Sequence, residues 1–176
     1  INGNPFEVWD TLHFLGIRYR DWGILMFIFM SIISLLPMSL MSFNSFLRKK
    51  YDDNNFLKVS LLSFALITIV FFYFNTQMHE RYSHPVLIFT ATYTIISKKY
   101  FLYILSSIAY FLNMEKVLQF LELQNYKTLI FNELFISSLF LIFIIVSIII
   151  LYKKINLKQE LIYLKNSLKQ KGLTLV

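Results

Sequence analysis

The feature that most constrains this chain is the length of its uncharged apolar runs. Residues Leu134–Leu151 form 18 consecutive positions without a charged side chain. Such a run is long enough to cross the hydrocarbon core of a bilayer. Of the 176 residues, 57% are hydrophobic and only 15% are charged, whereas a soluble domain is about half apolar and a quarter charged. We therefore predict an all-α, polytopic transmembrane helix bundle, with a deeply buried soluble bundle as the alternative.

The apolar runs predict about five membrane spans, followed by a polar tail. The predicted spans are Trp22–Asn44 with a kink at Pro37, Val59–Thr76, Ser83–Ser97, Tyr100–Asn113 with Leu121 as an alternative end, and Asn132–Tyr152. Residues 1–152 are then a transmembrane domain, and residues 153–176 are a basic amphipathic tail.

Lysine and arginine positions predict the orientation of these spans. Twelve of the 17 lie in residues 48–58, 98–99 and 153–171, which five alternating spans place on one side. Because positive charge accumulates in cytoplasmic loops, that side is predicted to be cytoplasmic. The N-terminal stretch, the loop at residues 76–86 and residues 114–131 are then extracytoplasmic, in a multi-pass protein of the cell membrane. The net charge of +7 is explained by this topology, and we predict no nucleic-acid partner.

Two stretches show the pattern of helices that lie on a membrane surface. In the tail, Leu157, Leu161, Leu164 and Leu168 recur at helical spacing and form one apolar stripe, and Lys158 and Lys165 lie among the residues between them. This pattern predicts a cationic helix on the anionic inner leaflet, with a disordered tail as the alternative. A similar stripe of Met114, Val117, Leu118 and Leu121 predicts an interfacial helix at residues 114–121 outside. Membrane lipid is therefore a predicted partner.

The third span is preceded by consecutive ionisable residues, His79, Glu80 and Arg81. Residues 85–97 would cover only about 20 Å at 1.5 Å per residue, short of a core of about 30 Å. The span must therefore begin near Arg81, which puts the three charges at or just within the outer membrane boundary. Pro85 suits the first turn of that helix, and Ser83 is predicted to be its N-cap.

Charged side chains at this depth cost a few kcal/mol each unless they are paired or face a wet cavity. Arg81 offers a planar fork of donors that suits a phosphate. His79 would donate to a phosphate oxygen or transfer a proton, and Glu80 would orient one of them. This predicts an outward cavity for an anionic headgroup. The alternative is a local turn in which Glu80 pairs with Arg81 and Tyr82 anchors at the interface.

Three segments resemble bacterial membrane glycosyltransferases of the GT-C class, relatives of the GPI mannosyltransferases. The most specific segment is Thr76–Tyr82, followed by Pro85, which resembles the family's T-x-M-H-E-R-Y signature loop. Asn4, Phe6 and Trp9 fit an N-x-F-x-x-W pattern, and the segment YFLNMEKVL at residues 110–118 resembles the F-x-N segment that follows. The resemblance covers most of residues 2–120.

The resemblance implies a hexosyltransferase, mannose being the first guess, that takes sugar from a polyprenyl-phosphate donor and passes it to an extracytoplasmic acceptor. It implies that Asn4, Trp9, His79, Glu80, Arg81 and Tyr82 contact the substrate. The family's catalytic aspartate would lie upstream of Ile1, so the catalytic residue is unknown. We therefore expect a C-terminal fragment whose partners include the remaining N-terminal helices of the same protein. The sugar donor is a substrate, and no cofactor is expected.

The sequence departs from the family pattern at several positions, and it also allows an alternative class of function. His84 stands before Pro85 where the family has an aromatic or aliphatic residue, and Asp10 and Asp21 do not match the catalytic motif. His13, His79 and His84 show no metal-ligand spacing with carboxylates, so no metal site is predicted. The alternative function is a transporter, flippase or polymerase subunit for polysaccharide. Such proteins more often carry ionisable groups at the membrane midplane, and the predicted span interiors here carry none.

Overall fold

The part of the chain that the structure describes consists mostly of helices. The computed structural model describes residues 5–48, 53–75, 80–123, 126, 128–155 and 157–170. Within these ranges, side chains are described except at residues 5–19, 47–48, 53, 80–81, 157–159 and 167–170. The α-helices of this part are α1 (Pro5–Arg48), α2 (Asp53–Phe74), α3 (Pro85–Ser97), α4 (Phe101–Leu118), α5 (Glu133–Lys154) and α6 (Leu157–Gln170). Two 3-10 helices, Glu80–Ser83 and Leu129–Phe131, precede α3 and α5.

In the described part of the chain, four helical segments are long and apolar enough to cross a membrane. They are Arg20–Phe46, Asn54–Phe74, Phe101–Leu118 and Glu133–Lys154. This confirms the prediction of an all-helical chain with apolar helices able to span a bilayer. The remaining apolar helix, α3, has 13 residues and a length of about 20 Å. It is shorter than the span predicted from Ser83, because residues 80–83 form a 3-10 helix rather than an extension of α3.

Helix α2 lies at the centre of the bundle and packs against α1, α3 and α5. One face of α2 is wholly buried, at positions that recur every three or four residues: Val59, Leu62, Ala65, Leu66, Ile69 and Val70. This spacing is what a helix needs to present a continuous apolar stripe to its neighbours. Helix α4 packs against α3 and α5, and α6 packs against α1.

The first helix is longer than its apolar segment and lies at the edge of the bundle. It has 44 residues, so it begins well before the predicted span at Trp22. Only 11% of its apolar window is buried, against 44% for α2. It meets α2 closely at Gly23, where a Cβ would overlap the Phe74 carbonyl oxygen. Only glycine fits this close approach of two backbones.

Helix α1 contains a proline, Pro37, in its interior. Because proline has no backbone N–H, the Ile33 carbonyl loses the hydrogen bond that a helix would normally give it. The Tyr152 hydroxyl on α5 donates to this Ile33 oxygen at 2.9 Å. A side chain 119 positions away thus satisfies the carbonyl that the proline leaves free.

The bundle has two ends, which we name by one residue of each. The His84 end holds residues 74–75, 80–85, 113–123 and 128–133, because α2 and α4 finish there and α3 and α5 begin there. The Lys99 end holds residues 54–58, 97–101, 153–155 and 157–160. At the Lys99 end, the Asn44 amide of α1 donates to the Glu160 backbone oxygen of α6 at 3.0 Å.

Two local predictions are corrected by the structure. Ser83 is not the N-cap of α3: it is a buried residue of the 3-10 helix, and His84 holds the cap position without a side-chain cap bond. Pro85 does occupy the first turn, as predicted. Residues 114–121 do not form a separate helix, because α4 continues through Leu118 and ends at Gln119 with a left-handed φ of 50°.

Candidate functional site

The 3-10 helix Glu80–Ser83 places the ionisable loop against the His84 end of the bundle. Its backbone contacts α2, α3 and α4, so the segment is held between three helices rather than standing away from them. Ser83 is fully buried, whereas 48% of Tyr82 is exposed. Ser83 therefore lies on the side of this turn that faces the helices, and Tyr82 lies on the side that faces away from them.

His84 anchors the start of α3 to α4. Its Nδ1 lies 3.0 Å from the Tyr110 hydroxyl, and the two rings lie 5.5 Å apart at an angle of 59°. Further along the same pair of helices, the buried Thr90 and Ser106 hydroxyls lie 3.2 Å apart. These polar contacts fix the register between α3 and α4, and so fix the turn that precedes α3.

A cavity of about 400 Å³ opens at the same end, between α2, α4 and α5. Its wall combines aromatic and aliphatic side chains with a small number of polar groups. They are Phe72, Tyr73, Asn113, Lys116, Glu133, Ile136, Ser137 and Phe140. Cavities with mostly apolar walls and a few convergent polar groups are typical of small-molecule sites.

The polar groups of the cavity divide into paired and unpaired ones. The Lys116 ammonium contacts the Glu133 carboxylate at 2.7 Å, and the Ser137 hydroxyl donates to the Tyr73 hydroxyl at 3.1 Å. The Asn113 amide nitrogen is buried and has no hydrogen-bond partner. Because an unmade hydrogen bond of a buried donor costs about 1–3 kcal/mol, this amide is the group in the cavity that most favours a bound acceptor.

A second cavity of about 400 Å³ adjoins the first and shares Lys116 and Glu133 with it. Its remaining lining residues come from the chain between α4 and α5 and from the first turn of α5: Tyr126, Thr128, Phe131, Asn132 and Leu134. The Asn132 side chain caps α5 by accepting from the Leu134 N–H at 2.8 Å. The Lys116–Glu133 ion pair therefore lies between two adjoining cavities.

Beside the second cavity lies a buried carboxyl group, that of Glu115, which is only 4% exposed. It accepts hydrogen bonds from the Tyr126 hydroxyl at 2.6 Å and from the Leu121 backbone N–H at 2.8 Å. Burial of the Tyr126 phenol raises its pKa, and its hydrogen bond to Glu115 adds to the rise. This contact ties the segment after α4 back onto the helix.

The structure places some of the predicted site residues only by their backbone. Glu80 and Arg81 lie in the 3-10 helix, and Trp9 lies in α1, but their side chains fall outside the described ones. His79 and Asn4 lie outside the described residues altogether. Along the helix axis, Trp9 is about 21 Å from Gly23, where α1 meets the end of α2.

The cavity residues themselves were not predicted as a site. Lys116 and Glu133 entered the sequence argument only as charges on the outer side. Asn113 did have a signal, because it is the asparagine of the F-x-N segment at residues 111–113. In the described part of the chain, no three histidine or carboxylate side chains converge where a metal ion would fit.

The comparisons with known proteins leave the function to be argued from the site. No family model matches the chain, and neither a curated protein nor a solved structure matches it.

Proposed function

We propose that this chain is the C-terminal part of an integral membrane glycosyltransferase of the GT-C class. It would move a hexose, with mannose as the first candidate, from a polyprenyl-phosphate donor to an extracytoplasmic acceptor. The observation that carries the proposal is the segment Thr76–Tyr82 followed by Pro85, which resembles the signature loop of that family. The predicted outward-facing anion site at the same loop agrees with this proposal.

The position of the loop supports this proposal. The backbone of Glu80–Ser83 packs against α2 and α4, and both helices contribute to the 400 Å³ cavity at the His84 end. That cavity offers a cation, Lys116, and a buried unpaired amide, Asn113. Its aromatic side chains, Phe72 and Phe140, lie 5.5 Å apart and suit an apolar chain or a sugar face. A lipid-linked sugar phosphate needs these kinds of contact together.

We further propose that the His84 end is extracytoplasmic and that the chain crosses the membrane five times. Twelve of the 17 basic residues then lie on the cytoplasmic side. Helix α3 supports the fifth crossing because it connects the two ends of the bundle. It begins beside Tyr110 at the His84 end, and its residue Tyr93 lies under Lys154 of the Lys99 end.

In this proposal the Arg81 guanidinium and the His79 imidazole bind the donor phosphate, and Glu80 positions one of them. Asn4, Trp9 and Tyr82 contact the sugar or the prenyl chain. In the family that the loop resembles, the catalytic carboxylate lies in an earlier extracytoplasmic loop, and we assign that role to no residue of this chain. A polysaccharide transporter or polymerase subunit is the alternative, and it would not consume the lipid-phosphate donor.

The decisive experiment replaces Arg81 in a protein that contains the upstream helices. A charge-assisted contact contributes roughly 1.5–3 kcal/mol, so Arg81→Ala should weaken use of polyprenyl-phosphate mannose about 10- to 100-fold. Arg81→Lys should restore it only in part, because an ammonium lacks the planar fork of donors. The matched control is Arg20→Ala, an exposed arginine that lies 3.6 Å from Asp21, which should retain donor use.

Two measurements on each variant, thermal stability and donor affinity, distinguish a binding site from a structural turn. Loss of affinity with unchanged stability supports the site. If Arg81→Ala destabilises the protein while donor affinity is retained, the loop is a structural turn and the glycosyltransferase proposal loses its main support.

A further inference from the structure

The two adjoining cavities of the His84 end share one positive and one negative group. Lys116 and Glu133 line both cavities, and they are the charged side chains among the described lining residues. The Lys116 ammonium lies 2.7 Å from Glu133 Oε1. The pair therefore gives this site a positive pole and a negative pole but no net charge.

Both members of the pair keep hydrogen-bonding capacity after they contact each other. An ammonium has three donors, and a carboxylate accepts up to about four hydrogen bonds. The described hydrogen bond of Lys116 Nζ goes to Glu133 Oε1, and no described hydrogen bond reaches Glu133 Oε2. The Glu133 side chain is 85% exposed and that of Lys116 is 27% exposed. A ligand can therefore contact both groups without first separating them.

A ligand with a single negative charge would use only half of this site. A phosphate beside the Lys116 ammonium also lies close to the Glu133 carboxylate, and like charges at short range repel each other. A ligand that carries both a phosphate and an ammonium instead gains an attractive contact with each pole. Asn113, three positions before Lys116 and on the same face of α4, adds a neutral donor for the phosphate, because its buried amide nitrogen has no hydrogen-bond partner.

The position of the pair favours a lipid over a soluble ligand. Lys116 lies in the last turn of α4 and Glu133 is the first residue of α5, and both helices are long and apolar enough to cross a membrane. Charged groups at the ends of such helices lie at the level of the phospholipid headgroups. Nearby, Leu134 is 81% exposed and Leu129 is 77% exposed. These side chains provide an apolar surface for acyl chains next to the charged pair.

We propose that the two cavities bind the headgroup of a phospholipid that carries a free primary amine, such as phosphatidylethanolamine. Lys116 and the Asn113 amide contact the phosphate oxygens, and the lipid ammonium donates to Glu133. A primary ammonium has N–H donors for this carboxylate, whereas the trimethylammonium group of phosphatidylcholine has none. The site does not depend on the glycosyltransferase function, since the phosphate of a sugar donor would use the Lys116 pole alone.

The experiment titrates lipids into the full chain in dodecyl maltoside, where no bilayer surface potential contributes, and counts bound lipid by native mass spectrometry. The dioleoyl forms of phosphatidylethanolamine, phosphatidylcholine and phosphatidylglycerol are separate arms. Glycerophosphoethanolamine presents the same headgroup without acyl chains and should bind more weakly. The Kd for phosphatidylethanolamine should be at least about threefold lower than those for the other two lipids, because it alone offers a hydrogen-bonding partner to each pole.

The sign of the Glu133→Gln effect identifies the class of ligand. This change should weaken phosphatidylethanolamine binding at least about threefold, because the ammonium loses its charged acceptor, and it should strengthen phosphatidylglycerol binding. Lys116→Gln should weaken the binding of both lipids. The matched control combines Arg20→Gln with Asp21→Asn, which removes another exposed ion pair and should change each Kd less than about twofold.

Several results would overturn the proposal. Unchanged or stronger phosphatidylethanolamine binding in Glu133→Gln would show that the amine does not contact the carboxylate, and unchanged binding in Lys116→Gln would remove the phosphate contact. Equal Kd values for the three phospholipids would show that the headgroup is not recognised. Equal binding of glycerophosphoethanolamine would assign the cavities to a soluble ligand.

Glu133→Gln alone carries the test if Lys116→Gln does not fold, because the Glu133 side chain is largely exposed. The result is also separate from that of Arg81→Ala, which tests donor use and leaves both members of the ion pair in place. Loss of donor use with retained phosphatidylethanolamine binding would support both sites. Failure of phosphatidylethanolamine binding with retained dependence of donor use on Arg81 would overturn the headgroup site alone.

Discussion

The Tyr152 hydroxyl donates a hydrogen bond to the Ile33 carbonyl oxygen at 2.9 Å, and Pro37 is the reason that this oxygen is free. The contact fastens the peripheral helix α1 to α5 at a point where α1 cannot complete its own hydrogen bonds. In a bilayer there is no water to satisfy such a carbonyl instead.

We expect Tyr152→Phe to lower the free energy of unfolding by about 1 kcal/mol, because the Ile33 carbonyl loses its donor. In a Pro37→Ala background the new N–H at position 37 can bond to Ile33, so the same change should cost much less. The measurement is a double-mutant cycle in mixed micelles, unfolded with sodium dodecyl sulfate. Additive effects of the two changes would contradict the coupling. Tyr103→Phe, for which no hydroxyl hydrogen bond is described, is the control.

Asn113 offers a prediction in which stability and binding change in opposite directions. Replacing its unpaired buried amide by a similarly sized apolar side chain, Asn113→Leu, should leave stability unchanged or raise it by about 1 kcal/mol. Binding of a polyprenyl-phosphate mannose analogue to the upstream-complete protein should weaken at the same time. Thermal unfolding and ligand titration measure the two effects. A destabilised variant with unchanged binding would show that the amide serves the fold. Asn54→Leu, an exposed asparagine at the Lys99 end, is the control.

The Lys116–Glu133 ion pair predicts changes of opposite sign in anion binding. Glu133→Gln should strengthen binding of the polyprenyl-phosphate mannose analogue about three- to tenfold, because the Lys116 ammonium becomes free to contact the phosphate of the analogue. Lys116→Gln should weaken this binding by a similar factor. The Glu133 side chain is 85% exposed, so Glu133→Gln should leave stability nearly unchanged, as is usual for an exposed ion pair. Equal effects of both changes on affinity would exclude Lys116 from the site.

The Tyr126–Glu115 hydrogen bond predicts a pH effect at the alkaline end. A raised phenol pKa means that the folded state holds this proton more tightly than the unfolded state. The stability that this hydrogen bond adds to the folded state is therefore fully present below about pH 10, the ordinary pKa of tyrosine. It is lost as the pH rises through the raised pKa. Tyr126→Phe should lower stability at pH 8, because the Glu115 carboxylate loses this donor, and the wild-type advantage should shrink at pH 11. Tyr100→Phe, an exposed tyrosine, should show no such pH-dependent difference.

Topology is testable because the chain contains no cysteine. Single cysteines at Asn54 and Lys98 should react with an impermeant reagent from one side of the membrane, and those at Tyr82 and Thr128 from the other. These positions are exposed in the structure. Labelling of positions 82 and 98 from the same side would show that α3 does not cross. Labelling of positions 54 and 128 from the same side would reject five alternating crossings, and labelling of position 54 from outside the cell would reject the proposed orientation.

The parts of the fold that local composition determines were predictable. The uncharged run after Asn132 predicts α5 to within two residues at each end, since apolarity over 18 positions is sufficient evidence for a span. The long N-terminal part of α1 was not predicted, because the first predicted span begins with the apolar run at Trp22, although charged residues are compatible with a helix outside the hydrocarbon core.

The candidate site was harder to predict because its members are distant in sequence. Lys116 and Glu133 are 17 positions apart, and Tyr73 is 64 positions from Ser137. No local period relates such pairs; only the packing of α2, α4 and α5 brings them together. The 3-10 turn at residues 80–83 was also missed, because Ser83 before Pro85 is typical of an N-cap and tertiary burial placed it otherwise.

The unequal lengths of α3 and α5 have a consequence for the surrounding lipid. Their 13 and 22 residues correspond to apolar surfaces of about 20 Å and 33 Å. A bilayer that matches α5 is too thick for the flank formed by α3, where Ile88 and Ile95 are exposed. Hydrophobic mismatch of this size is relieved by local thinning or tilt. The membrane beside α3 would therefore be thinner than the membrane beside α5, which draws the headgroup layer down toward Tyr82 and shortens the path of a lipid headgroup to the protein.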